Sequence, residues 1–176
     1  MYHVVFFFIN KAYNFLNLNK KGIVYKSFPQ IRGRLIIHTF GSIQLGFQNR
    51  FNSSLNSNLV RLYKLCTISA GKNTVLSIGN HTGFSGVSIY CQSEIAIGDY
   101  VNCGGNVGIR DTDFHPLNYE DRRVHDIIKI ASWPIYISNN VFIGANSIIL
   151  KGVKIGDRAL IEAESVVTKD IPIGEI

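Results

Sequence analysis

Residues 137–172 read in units of six: ISNNVF, IGANSI, ILKGVK, IGDRAL, IEAESV, VTKDIP. An aliphatic residue opens each unit, at Ile137, Ile143, Ile149, Ile155, Ile161 and Val167. A second small or aliphatic residue falls four places later, at Val141, Ser147, Val153, Ala159, Ser165 and Ile171. A helix turns every ~3.6 residues and would carry these positions around its whole surface, so a period of six excludes it. A hexapeptide solenoid accounts for the pattern: each unit supplies one short strand and a corner, and three units close one triangular coil. Residues 18 apart then stack in a column, with coils at roughly the 4.8 Å spacing of hydrogen-bonded strands.

Working outward, the same step recurs at Ile78, Phe84, Cys91, Ile97, Cys103 and Ile109, with one seven-residue stride before Cys91. It recurs more sparsely at Ile31, Ile37 and Ile43. Between these, Asn49 to Asn58 (NRFNSSLNSN) is rich in Asn and Ser and reads as a loop leaving the coil. Tyr2, Val5, Phe6, Ile9, Tyr13 and Leu16 recur at three- and four-residue steps, the mark of a short amphipathic helix. Packing of that stripe on the open end of the solenoid is favoured over contact with a membrane surface, because every solenoid needs a cap. The apolar run within it is too short to span a bilayer, and neither a basic leader nor a cleavage site is visible. The expected organisation is a capping segment over residues 1–30 and one solenoid domain over 31–176.

The chain has 176 residues, 46% of them hydrophobic, enough for a substantial core. The net charge of +6 comes from scattered basic residues without a Lys/Arg tract, which favours a phosphate-bearing small molecule over nucleic acid. Cys66, Cys91 and Cys103 form neither a disulfide framework nor a zinc-binding spacing. They read as reduced thiols, Cys91 and Cys103 at inward positions, which points to the cytoplasm.

The register breaks between Ile109 and Ile137, where residues 110–134 form one long projecting loop. Insertions in solenoids project from one face, often the binding face. In DTDFHP, His115 follows Asp111 and Asp113, and an extended segment would send all three to one side. A carboxylate on one imidazole nitrogen fixes the tautomer and leaves the other nitrogen as a base. Aligning the coils across the loop stacks Phe84, Cys103, Ile143 and Ile161, with Gly86, Gly105, Ala145 and Ala163 at the third position of each unit. Such a corner is either a tight turn that tolerates only small residues or a groove for a long, thin ligand shaped like a pantetheine arm. A groove on a prism edge becomes a pocket when a second prism lies beside it, and a cyclic trimer closes such contacts with three identical sites between subunits.

The hexads, the loop histidine followed by proline, the segment NHTGFSGVSIY (80–90) and the closing IEAESVVTKDIP together resemble the hexapeptide-repeat acyltransferases. The likeness runs from about Ile78 to Pro172 and is to the maltose and galactoside O-acetyltransferase type. It is strongest to the branch that acetylates sugars in capsule, lipopolysaccharide or exopolysaccharide synthesis. The resemblance implies an all-β fold, a left-handed parallel β-helix, and direct acetyl transfer from acetyl-CoA to a hydroxyl of a sugar or glycan precursor, without a catalytic metal. On this likeness His115 is the general base, oriented by Asp113. Ala145, Ala163, Thr168 and Lys169 contact CoA, Trp133 walls the thioester end, and Ser85 and Asp111 face the acceptor. The chain ends at IPIGEI, short of the Gly-Asn-Pro-Ala-Lys type segment of the family, and a weaker hold on the nucleotide end of CoA is expected. Two other readings remain at this stage. One is a non-catalytic solenoid for binding or assembly. The other is a carbonic-anhydrase-type metalloenzyme drawing on His81, His115 and His125, for which the spacing is wrong.

Overall fold

The computed structural model describes residues 2–57 and 62–176, with side chains from residue 8 onward. Among the described residues, strands fall into three parallel sheets of six, one for each face of a triangular prism. This is the parallel β-helix expected from the period of six. The first face stacks Val24–Tyr25, Ser42–Leu45, Val75–Ile78, Glu94–Ile97, Ile135–Ile137 and Lys154–Ile155. The second stacks Gln30–Gly33, Arg50–Ser53, Gly83–Ser85, Asn102–Gly105, Phe142–Ile143 and Leu160–Ile161. The third stacks Ile36–Thr39, Thr67–Ala70, Ser88–Cys91, Gly108–Arg110, Ile148–Ile149 and Val166–Val167. The described residues therefore make six coils, the first rung lying at Val24–Tyr25, ahead of Ile31 where the hexad signal starts.

Inward positions form continuous apolar columns. Ile78, Ile97, Ile137 and Ile155 stack on the first face. Phe84, Cys103, Ile143 and Ile161 stack on the second. All eight are buried. On the third face the residue level with Ile109 and Ile149 is Ile89, not Cys91. Cys91 pairs instead with Ala70, two places further along the strand. The seven-residue stride in the sequence thus conceals a five-residue step from Phe84 to Ile89. The thiol is buried all the same.

The segment Asn49 to Asn58 also differs from its reading as a loop. Arg50–Ser53 is a strand of the second face, with Phe51 fully buried and stacked on Phe84 at 5.2 Å between ring centroids. Arg50 and Asn52 point outward, so the polar composition belongs to an exposed strand surface rather than to a loop. Asn58 lies outside the described residues.

Helix α1 (Tyr2–Lys20) precedes the first coil. It ends in a Schellman turn: Gly22 has φ +66°, the Gly22 N–H donates to Asn19 O and the Ile23 N–H to Leu18 O. The described contacts between helix and solenoid are mostly polar, and of the expected apolar stripe Tyr13 takes part, its ring centre 4.9 Å from the Arg34 guanidinium. Ile9 and Leu16 are exposed, and the side chains of Tyr2, Val5 and Phe6 lie outside the described set. Leu18 and Asn14 are the buried positions. Asn14 donates to Gly33 O and accepts from the Leu35 N–H, Asn17 donates to Leu35 O, and Arg34 donates to the Asn10 side chain. The end of a solenoid exposes backbone donors and acceptors as well as apolar core. Asparagines at four- and three-residue steps satisfy both halves of that peptide edge, which an apolar stripe cannot do.

Replacing Asn14 with Ala should therefore cost about 1–3 kcal/mol, the penalty for stranding buried backbone groups. It would be read as a lower urea midpoint, and Asn14→Leu should not restore it. The thiols supply a second expectation. Burial pushes Cys66 up to about 11 and Cys91 up to about 12, while an unfolded thiol titrates near 9.0. Folding thus holds these protons, so the stabilisation is complete below about pH 9 and is lost as pH climbs toward the folded values. Native protein should resist iodoacetamide at about pH 8.5, where unfolded chain is labelled, and its urea midpoint should fall between about pH 8 and pH 10.5.

Candidate active site

The projecting loop leaves the prism where the third face ends at Arg110 and returns where the first begins at Ile135. Its neck is a short antiparallel ladder. Thr112 bridges Ser132, the Asp113 N–H donates to Ala131 O at 3.1 Å, and the Trp133 N–H donates to Asp111 O at 2.9 Å. The Ser132 hydroxyl donates to the Thr112 hydroxyl at 2.9 Å. The outer part holds helix α2 (Tyr119–Arg123), capped by Asn118, and a 3-10 turn over Ile127–Lys129, capped by Asp126.

The structure separates the three residues expected to share one side of this segment. Phe114 has φ +63°, which interrupts the alternation of an extended chain, and its ring packs on Tyr90 with centroids 4.6 Å apart. Asp111 is fully buried, and its two carboxylate oxygens accept from the N–H groups of Gln92 and Ser93, each at 2.7 Å. Burial raises its pKa, and the two backbone N–H groups pull it back in part. Its carboxylate thus faces the coil corner below the loop, not an open acceptor site. Asp113 pairs with the Lys151 ammonium at 2.6 Å, while its Oδ2 is buried without a hydrogen-bond partner. His115 is exposed and makes no hydrogen bond among the described residues, so Asp113 does not orient its imidazole in the single chain.

Lys151 escaped the sequence reading. Its ammonium also lies 4.9 Å from the centre of the half-exposed Trp133 ring. The 18-residue spacing would have found it, since Trp133, Lys151 and Lys169 occupy one column of that spacing. Thr168 and Lys169 are exposed at the C-terminal end and line a shallow groove of about 350 Å³ with Ser165 and Ile171.

The small-residue column lies at a different corner, between the second and third faces. There the Asn146 N–H donates to Gly105 O and the Glu164 N–H to Ala145 O, so Gly105, Ala145 and Ala163 do stack. The fourth member is Ser85, paired with Gly105 across a local irregularity, and not Gly86. Gly86 falls one place later, with Asn106, Asn146 and Glu164, at the left-handed turn of each coil. The coils approach closely here, and a Cβ on Gly104 would sit 2.7 Å from the Ala145 nitrogen. Ser85 accepts a hydrogen bond from Asn52 and lines a cavity of about 590 Å³ on the second face. The third face thus stands between the loop bearing His115 and the corner bearing Ala145 and Ala163. His81 belongs to yet another corner, stacked on Tyr100, and no group of three potential metal ligands occurs among the described residues.

Residues 134–169 match the family described as bacterial transferase hexapeptide, six repeats. The matched segment thus carries the repeat of that family over about a fifth of the chain. It is 38% identical over 104 residues to the galactoside O-acetyltransferases of Lactococcus lactis and Escherichia coli. Those matches take in 58% and 59% of this chain and 47% and 49% of the two relatives, so it spans about half of their length. A galactoside acetyltransferase solved in complex with coenzyme A superposes with a TM-score of 0.50 at 39% identity, over 56% of this chain and 48% of the other. The polySia-specific acetyltransferase NeuO shares the fold over 86% of this chain and 74% of its own, with a TM-score of 0.60 at 23% identity.

The geometry of Asp111 implies a structural role that can be measured. Asp111→Ala removes two charge-assisted hydrogen bonds, each worth about 1.5–3 kcal/mol, and strands two N–H groups at a coil corner. The variant should melt several degrees below the parent. A parent-like melting curve combined with a raised KM for an acceptor would instead assign Asp111 to substrate.

Proposed function

We propose that the chain is an acetyl-CoA-dependent O-acetyltransferase acting on a hydroxyl of a sugar or glycan precursor. The observation that carries this reading is the 38% identity to galactoside O-acetyltransferases across more than half of the chain. The coenzyme A held by a galactoside acetyltransferase of the same fold supports the choice of donor.

In this mechanism His115 removes the proton from the acceptor hydroxyl as its oxygen attacks the thioester carbonyl. A backbone N–H donates to the tetrahedral oxyanion. Collapse breaks the carbon–sulfur bond, and the imidazolium returns the proton to the departing sulfur, leaving an O-acetyl ester and free CoA. Asp113, whose Oδ1 is held by Lys151, keeps an Oδ2 without a partner and would orient an imidazole only where assembly of the homotrimer brings the two together. Ala145 and Ala163 would flank the pantetheine arm, Thr168 and Lys169 would meet the nucleotide end, and Trp133 would wall the thioester.

Because the third face divides the small-residue corner from the loop, we infer that each site forms between two copies of the chain in a homotrimer. The loop is built for a neighbour. Leu117, Val124, Ile127 and Ile128 are each more than 70% exposed. The three free, buried cysteines suit a reducing compartment, and we assign the protein to the cytoplasm. Among the described residues no helix is long and apolar enough to cross a membrane.

Calorimetric titration with CoA and acetyl-CoA tests the donor, followed by acetyl transfer to a panel of sugars. His115→Ala should lower turnover by roughly 10²- to 10⁴-fold while leaving CoA affinity unchanged. A variant that keeps more than about a hundredth of the parent rate would contradict the general-base role. Failure of the folded parent to bind either ligand would favour a non-catalytic binding solenoid.

A further inference from the structure

The second face carries a groove that the acetyl-transfer reading does not use beyond Ser85. In its register Gln30, Arg50, Gly83 and Asn102 form one outward row, and Arg32, Asn52 and Ser85 the next. Gly83 is the gap in the first row. A Cβ placed there would meet the Asn102 Oδ1 at 2.5 Å and the Arg50 guanidinium at 3.9 Å. The missing side chain opens the 590 Å³ cavity between them. Two neighbouring depressions continue it. One of about 390 Å³ shares Gln30, Arg50 and Asn102 and is walled by His81 and Tyr100. The other, of about 370 Å³, shares Gln30 and Arg32 and is bounded by Lys11 of α1. The result is one trough along the edge of the prism, longer than a single sugar ring.

Its chemistry is one-sided. No Asp or Glu lines any of the three depressions. The guanidinium groups of Arg32 and Arg50 make no hydrogen bond, ion pair or ring contact among the described residues, where Lys151–Asp113 is the ion pair formed. A guanidinium presents a planar fork of donors that matches a carboxylate or phosphate. The side-chain amides of Gln30, Asn52 and Asn102 can donate to and accept from hydroxyls. Tyr100 and His81 stack with centroids 4.8 Å apart and planes 7° from parallel, giving one end of the trough a flat aromatic wall. Spaced cations, neutral amides and an aromatic wall fit an acidic saccharide better than a neutral one.

We propose that this trough binds an acidic oligosaccharide, with its anionic groups on Arg32 and Arg50. The inference rests on the acetyltransferase reading only in naming that saccharide as the acceptor. Binding itself can be measured without turnover. The probes are oligogalacturonate for carboxylates, a sulfated oligosaccharide of matched length, and neutral maltohexaose, each titrated into the intact chain. Either acidic series should bind, the tighter one identifying the anion, and affinity should fall with added salt. Arg32→Gln and Arg50→Gln should each weaken binding roughly ten- to a hundredfold, as expected for loss of a charge-assisted contact. Equal affinity for maltohexaose, indifference to both substitutions, or preference for a single-stranded oligonucleotide of equal charge would overturn the proposal. CoA is titrated into the same preparations. Binding of CoA without the acidic probes removes this inference alone. Binding of the acidic probes without CoA removes the acetyltransferase reading and leaves the trough assignment standing.

Discussion

Stacking of one coil on the next by parallel backbone hydrogen bonds is the constraint on which the rest of the molecule depends. Each rung must match the rung before it, so a residue's face and depth are fixed by its place in the coil rather than by its neighbours in sequence. The inward columns on all three faces follow from that, as do the left-handed turns at Gly86, Asn106, Asn146 and Glu164. Gly104 and Gly144 are demanded by it too, because each lies against the backbone of the following coil. The energetic consequence is cooperative: every coil protects the apolar row of its neighbours, and only the ends need special treatment.

That treatment at the N-terminal end is polar. The first coil presents open backbone groups around Gly33 and Leu35, and α1 meets them with Asn14 and Asn17, while Asn10 accepts from the Arg34 side chain. Leu18 plugs the core below them. A cap that satisfies the peptide edge also blocks addition of another strand, the hazard of any exposed sheet edge.

The regular part of the fold was legible because a period of six admits one explanation, and residues 137–172 keep it without interruption. Legibility failed wherever the period did. A linear count lands on Cys91 rather than Ile89 because the irregularity near Gly104 and Gly105 lets the shorter coil stay in register. Arg50–Ser53 reads as a loop in sequence because its outward positions, Arg50 and Asn52, are polar, leaving Phe51 as the lone apolar signal. Of the candidate site, the stacking of Gly105, Ala145 and Ala163 could be read from spacing. The fate of Asp111 and Asp113 could not. Their partners, Gln92, Ser93 and Lys151, come from other coils, and the turn at Phe114 that parts them from His115 is a backbone feature that the sequence does not advertise.

The loop divides its labour among residues that look alike in sequence. Asp111 is spent on the coil corner beneath the neck, and Asp113 is tethered to Lys151, itself lodged against Trp133. These contacts tie both ends of the insertion to rigid rungs, so the neck inherits the stiffness of the prism although its outer turns carry no core of their own. His115 is left as the titratable side chain of DTDFH with no committed partner among the described residues. An unpartnered imidazole beside a tethered neck is compatible with the proposed general-base role. Within one chain the third face keeps the small-residue corner apart from the loop, and the proposed homotrimer is the arrangement that would bring the two together.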